Sequence, residues 1–188
     1  IPENIDIENT NDIIKVLNQS NLFSDVKVKF DNNKYIIIVK EFPNINKLYF
    51  DKNERLKDED LKLLAADLDF VNYNSASINS YIYEVKKIYE SFGYNNVTIE
   101  YSKKLYQDTN TIDLFFDIDE GSITKINQII LNGNNNISAQ EILQTIDSKT
   151  KSIRNIFANN NFKPSIVEKD KYLISDYYKN NGFLDISV

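Results

Sequence analysis

The sequence predicts an α+β fold made of small tandem units, each ordered strand, helix, helix, strand, strand. Three observations carry this. A helix end, a stop and a new strand occur together as "YESFGYNNVTIEY" at 89–101 and as "YYKNNGFLDISV" at 177–188, and in degenerate form as "LNQSNLFSDVKVKF" at 17–30. The apolar residues switch along the chain between steps of three or four and steps of two, the periods of helix and strand. Matching places share a register: Phe23, Tyr94 and Phe183 are followed three and five residues later by Val26 and Val28, Val97 and Ile99, and Ile186 and Val188. A shared register of this kind marks a repeat.

The first unit is partial. "NDIIKVLNQSNLF" reads as the last part of a second helix, and "SDVKVKF", residues 24–30, as the strand after it. "DNN" is a tight turn whose asparagines tolerate positive φ. "KYIIIVKEF" is the closing strand. The middle unit is whole. "INKLYFD", residues 45–51, alternates Ile45, Leu48 and Phe50 with polar neighbours and predicts a strand. Asp58 is placed to cap a short helix with Leu61, Leu64 and Ala65 on one side. "NYNSAS" reads as a loop. A helix over about 77–91 carries Ile78, Tyr81, Ile82, Val85, Ile88, Tyr89 and Phe92 in one stripe, and Gly93 supplies its left-handed stop. "NVTIEY" is the next strand, "SKKLYQDTN" a polar loop, and "TIDLFFDID" a strand alternating Ile112, Leu114, Phe116 and Ile118.

After Glu120 and Gly121 the pattern restarts. Ile126, Ile129 and Leu131 predict a strand, Gly133 a turn, and Ser138 with Glu141 three residues on a capping box. Ile142, Leu143 and Ile146 follow on a short helix. A loop of about twenty residues leads to a helix over about 165–179, stopped by Gly182. "FLDISV" begins a fourth element. The units are therefore 1–42, the C-terminal part of one; 43–120, complete; and 121–188, the N-terminal part of another. The absence of Met and the partial outer units are expected of a piece of a longer chain.

Composition bounds the function. The chain has 188 residues, 41% of them apolar, enough for packed cores. Its formal net charge is −6 with no basic run, which opposes a nucleic-acid surface, because phosphate contacts need clustered Lys and Arg. No apolar stretch reaches the length of a membrane helix, and no basic-then-apolar leader opens the chain. There is no Cys, His, Met or Trp. Disulfides and thiolate metal sites are excluded, and so are the usual nucleophile–base pairs. Ser24 with Lys27 and Ser122 with Lys125 have S-x-x-K spacing, but fall on a strand and in a linker. "DKNERLKDEDLK" has calcium-loop character without the central Gly, and Lys62 stands where a terminal Glu is needed. "NVT", "NIS" and "NQS" are incidental sequons. Asp67 and Asp69, near a helix end, read as solvated. The heavy use of Asn, Ile and Lys reads as an AT-rich genome.

The repeat order, with "Y…GY/GF" between second helix and strand, resembles the POTRA domain. The junctions narrow the resemblance to the BamA family of outer-membrane β-barrel assembly proteins. "VKEFPNINKLYFDKNERL", residues 39–56, looks like the family's V-x-E-x-P-x-I link followed by a strand and Gly-Asn. Glu41, Pro43, Ile45 and Asn53 match, and Lys52 stands where Gly is usual, which puts the turn geometry there in question. "DIDEGSITKINQIILNGNNNIS", residues 117–138, looks like the next link and keeps Glu120, Gly121, Gly133 and Asn134. TamA, organellar relatives, two-partner secretion transporters and a division protein also carry POTRA units.

The resemblance implies a three-stranded mixed sheet under two helices, with the fourth element at an edge. It implies a non-enzymatic region without cofactor or metal, on the periplasmic face of the outer membrane, touching the membrane only through a C-terminal β-barrel outside this chain. The implied partners are unfolded outer-membrane proteins and assembly-complex lipoproteins. Edge strands expose unpaired backbone groups, so the expected client margins are Asn96, Val97, Thr98, Ile99, Glu100 and Tyr101, and Leu184, Asp185, Ile186, Ser187 and Val188, joined by β-augmentation. Residues 24–30 form the corresponding strand of the first unit. Glu41, Pro43, Glu120 and Gly121 are expected to shape the joints. Against this stand a related transporter, and a spacer that sets reach and angle without binding clients.

Overall fold

The computed structural model describes residues 7–31, 34–151 and 158–188. The chain forms two compact units. One comprises Ile1–Tyr83 and Ile99–Ile118, the other Glu84–Thr98 and Asp119–Val188.

In the first unit, α1 (Ile7–Gln19) lies against β1 (Phe23–Asp31), which pairs antiparallel with β2 (Lys34–Glu41). The ladder ends at Asp31 opposite Lys34; the predicted turn at Asn32 and Asn33 lies outside the described residues. A bulge at Ser24 interrupts the start of the ladder, where the Ser24 hydroxyl donates to Lys40 O at 3.1 Å.

β3 (Asn44–Asp51), β4 (Thr98–Tyr106) and β5 (Thr111–Asp119) make a mixed three-stranded sheet in the order β3-β5-β4. β3 runs parallel to the central β5, with Ile45 opposite Ile112, Leu48 opposite Leu114 and Phe50 opposite Phe116. The predicted alternation of β5 is observed: Ile112, Leu114, Phe116 and Ile118 are buried. A period of two sends all four to one face, where Phe116 stacks on Phe50 and meets the Tyr81 ring at a tilt.

α2 (Asp58–Asp67) buries Leu61 and Ala65. Its cap is Lys57 rather than the predicted Asp58, which is the first helical residue. Asp60 accepts from the Lys57 N–H at 3.2 Å. Asp58 instead accepts from the Asn53 side chain at 3.0 Å, while the same amide donates to Leu56 O. Asn53 thus claims the Asp58 carboxylate for the preceding turn, and Asp60 takes over the capping work.

α3 (Ser75–Phe92) begins earlier than the sequence suggested, inside the segment read as a loop. The Asn74 side chain accepts from the Ser77 N–H at 2.8 Å and the Ser77 hydroxyl faces the Asn74 N–H, a reciprocal cap that pulls Ser75, Ala76 and Ser77 into the helix. Ile78, Tyr81, Val85 and Tyr89 of its stripe are buried. The helix ends at Gly93, whose φ is +98°.

The polar segment read as a loop after Tyr101 is mostly strand. β4 continues to Tyr106 and the turn shrinks to 107–110. Pairing with β5 overrides the polar composition, because an exposed edge needs only backbone partners on one side.

In the second unit, α4 (Ala139–Thr145) packs on α5 (Pro164–Asn180) over Ile137, Ile142 and Ile146. Two predicted strands are absent. Residues 126–131 form no strand, with only an isolated bridge from the preceding Lys125 to Asn161, and residues 184–188 make no strand. Ile130 is 68% and Leu184 82% exposed. In the three-stranded sheet both edge strands, β3 and β4, bond to the central β5. Among the described residues after Asp119 there is no strand for these segments to pair with.

Candidate functional site

The margin expected to bind clients is β4. Thr98, Ile99, Glu100 and Tyr101 lie on it, at one edge of the sheet. Asn96 and Val97 precede it, and Val97 is only 6% exposed. Its side chain is buried in the core. Leu184, Asp185, Ile186, Ser187 and Val188 occupy the matching place in the next repeat but lie outside any strand.

Two sets of contacts hold β4. On the helix-bearing face the Tyr101 ring meets Phe116 at 6.0 Å. Lys103 donates to the Tyr73 hydroxyl at 2.8 Å and sits 4.5 Å above its ring. The hydrogen bond to Tyr73 raises the pKa of Lys103. The Tyr101 hydroxyl is raised too, first by its hydrogen bond with Tyr73 and then by burial. On the open face, the Asp113 carboxylate of β5 accepts from Asn46 Nδ2 of β3 at 2.8 Å and from the Tyr106 hydroxyl of β4 at 2.9 Å. One buried side chain ties all three strands. Asp113 was not singled out from sequence, where it is simply the acid between Ile112 and Leu114.

The outer side of β4 remains open. Thr98, Glu100, Tyr101, Ser102, Lys103, Lys104 and Leu105 are exposed. Lys103 and Lys104 discourage pairing with a second copy of the same strand, a common defence of sheet edges.

The expected joint residues have specific bonds. Pro43 O accepts from the Tyr73 N–H at 2.8 Å, and Glu41 closes β2. Glu120 accepts from the Tyr89 hydroxyl at 2.8 Å, and Gly121 has φ +62°. Asn95 donates to Gly93 O and to Phe162 O, both at 3.0 Å, and Asn161 Nδ2 donates to Phe92 O at 3.3 Å. These asparagines were not singled out from sequence, because asparagine is abundant along the whole chain.

Atomic detail repeats between residues 52–94 and residues 133–183. Asn53 donates to Leu56 O, and Asn134 to Ile137 O. Lys57 and Ser138 are helix caps served by Asp60 and Glu141. Tyr89 packs edge-on to Tyr94, and Tyr178 to Phe183. Lys52 has φ +63° where Gly133 has +83°. The turn in question therefore keeps its left-handed geometry without glycine.

The repeated details link the strand–helix–helix–strand–strand order of residues 44–119 to the helix pair that follows it. Residues 124–188 match the POTRA family model, described as surface antigen variable number repeat. The particular relatives are outer membrane protein assembly factors named BamA. That of Neisseria meningitidis serogroup B is 26% identical over 180 residues, covering 94% of this chain and 22% of that protein. That of Neorickettsia risticii is 23% identical over 190 residues, covering 100% and 26%. The chain thus spans about a quarter of the length of these relatives. It is also similar to the crystal structure of Haemophilus influenzae BamA POTRA3-5, at 12% identity and a TM-score of 0.49, over 94% of this chain and 70% of that one. Among the described residues no helix is long and apolar enough to cross a membrane, and no group of acidic residues is arranged to hold a metal ion.

Proposed function

We propose that this chain is the periplasmic POTRA region of a BamA-like outer-membrane β-barrel assembly protein, with modules at 1–42, 43–120 and 121–188. It is a binding scaffold rather than an enzyme. Unfolded outer-membrane proteins add a strand to the open side of β4, from Thr98 through Tyr101 and on to Leu105, and assembly-complex lipoproteins dock on the same array of modules. Residues 184–188 become a second such margin when a central strand pairs with their module. Glu41, Pro43, Glu120 and Gly121 shape the joints between modules.

The observation that carries this reading is an uncovered nine-residue edge strand in the complete module. Backbone hydrogen bonds attract an extended chain with little regard to sequence, and each nets only about 1 kcal/mol. One contact is therefore weak and quickly released. Modules in series raise the effective concentration of client without capturing it permanently.

Photo-cross-linkers at Thr98, Glu100 and Ser102 test the reading, with Tyr83 and Lys87 on the helix surface as controls. An unfolded outer-membrane protein captured from the strand positions and not from the helix supports it. Capture from the helix alone, or from neither, overturns it and leaves the spacer reading.

A further inference from the structure

The complete module has a second margin. β3 flanks β5 on the side away from β4. The beginning of its outer side is occupied: Asn44 bridges Asn72 in antiparallel sense, Ile45 N donates to Val71 O at 2.7 Å, and Tyr73 N donates to Pro43 O at 2.8 Å. Beyond Ile45 no described strand pairs with that side. The open run, residues 46–51, is about 20 Å long at roughly 3.3 Å per residue.

A groove of about 440 Å³ follows the first part of this run, lined by Ile45, Asn46, Leu48, Tyr49 and Phe70 with Lys47 and Lys62 as its charged residues. Ile45 and Leu48 belong to the register that faces the helices, whereas Lys47 lies opposite Asp113 on the open face. Lys62 meets Asp58 at 3.6 Å, and both side chains are about half exposed, so the ammonium is free to turn to another acid. The groove therefore offers apolar surface on one face of an incoming strand and positive charge beside it, with no acid in its lining.

We infer that this groove takes an extended segment in which apolar and acidic side chains alternate, running antiparallel to β3. The polarity follows from the segment around Asn72, which already pairs with β3 in that sense. The alternation follows from strand geometry, which sends successive side chains to opposite faces. The inference shares with the proposed function only its mode, strand addition, and concerns the opposite edge and a charge-selected partner. One module then holds two strands at once, one on each margin.

The probe is an eight-residue peptide alternating Val and Asp, titrated into the 188-residue chain and followed by backbone amide NMR shifts, with a Val–Lys peptide for comparison. The expected result is perturbation of residues 46–51 by the acidic peptide and not by the basic one. The double variant Lys47→Glu with Lys62→Glu weakens acidic-peptide binding by about three- to tenfold, the range of two exposed ion pairs. Equal response of residues 46–51 to both peptides overturns the inference. Perturbation of 98–106 alone also overturns it while leaving the β4 reading standing, and perturbation of neither margin removes both.

Discussion

Gly93 and Gly182 close the two long helices with nearly the same backbone, φ +98° and +92°. Their surroundings differ. A Cβ on Gly93 meets Asn161 Cβ at 3.1 Å and Ile123 Cγ2 at 3.2 Å, and one on Gly182 meets nothing within 4 Å. Gly182→Ala is expected to cost about 1–2 kcal/mol from the left-handed backbone alone. Gly93→Ala carries that strain plus the displacement of two neighbours, so urea denaturation should rank it the more damaging. Tyr89 is a second residue with a defined role: it is fully buried and donates to the Glu120 carboxylate at 2.8 Å. Tyr89→Phe leaves packing intact and removes a charge-assisted bond, an expected loss of about 1.5–3 kcal/mol by the same measurement. Both glycines were legible in the sequence as stops, because the apolar stripe ends beside them. The Tyr89–Glu120 bond was not, because it joins residues in different elements.

At the scale of elements, α4 depends on its cap. Ser138 Oγ accepts from the Glu141 N–H at 3.3 Å, while Glu141 Oε2 accepts from the Ser138 N–H at 3.0 Å. Ser138→Ala is expected to cost about 1 kcal/mol, and amide exchange in residues 139–145 should report it first. The hydrogen bond from the Ser138 hydroxyl lowers the pKa of Glu141 from its ordinary 4.5. The sign follows from linkage: the unfolded side chain takes up its proton near 4.5 and the folded one only at lower pH. Its contribution is complete above that value and lost as pH falls through the folded pKa. Asp147 behaves alike, its pKa lowered by its hydrogen bond to Lys169. Far-ultraviolet dichroism of the chain should therefore show helix loss on acidification below about 4.5, and Glu141→Gln should flatten that part of the curve. The capping box was readable from spacing alone. The caps at Lys57 and Asn74 were not, because neighbouring side chains decided which acid or amide was free to serve.

Across the whole molecule, the central strand β5 is deeply buried and the segment 184–188 is exposed or half-exposed. Leu114 sits fully buried on the central strand. Leu114→Ala is expected to cost about 2–5 kcal/mol, whereas Leu184→Asp should change stability by less than about 0.5 kcal/mol, as exposed positions do. Hydrogen exchange should follow the same division, slowest in β5 and fast in 184–188. Equal protection of the two regions would contradict this account.

The sequence by itself determined the period of each segment and the places where segments stop. The stripe from Ile78 to Tyr89, the alternation from Ile112 to Ile118, and the glycines and asparagines at repeated turns are local properties, set by side-chain size and backbone preference. It also determined the repeat, because equal spacing survives without any knowledge of contacts. Only the tertiary structure decided which strand-patterned segments become strands. Residues 45–51 and 126–131 carry similar patterns, yet the first lies in β3 and the second forms no strand. A helix closes its hydrogen bonds within itself, but a strand closes them on a neighbour, and the neighbour is a fact about the fold rather than the segment.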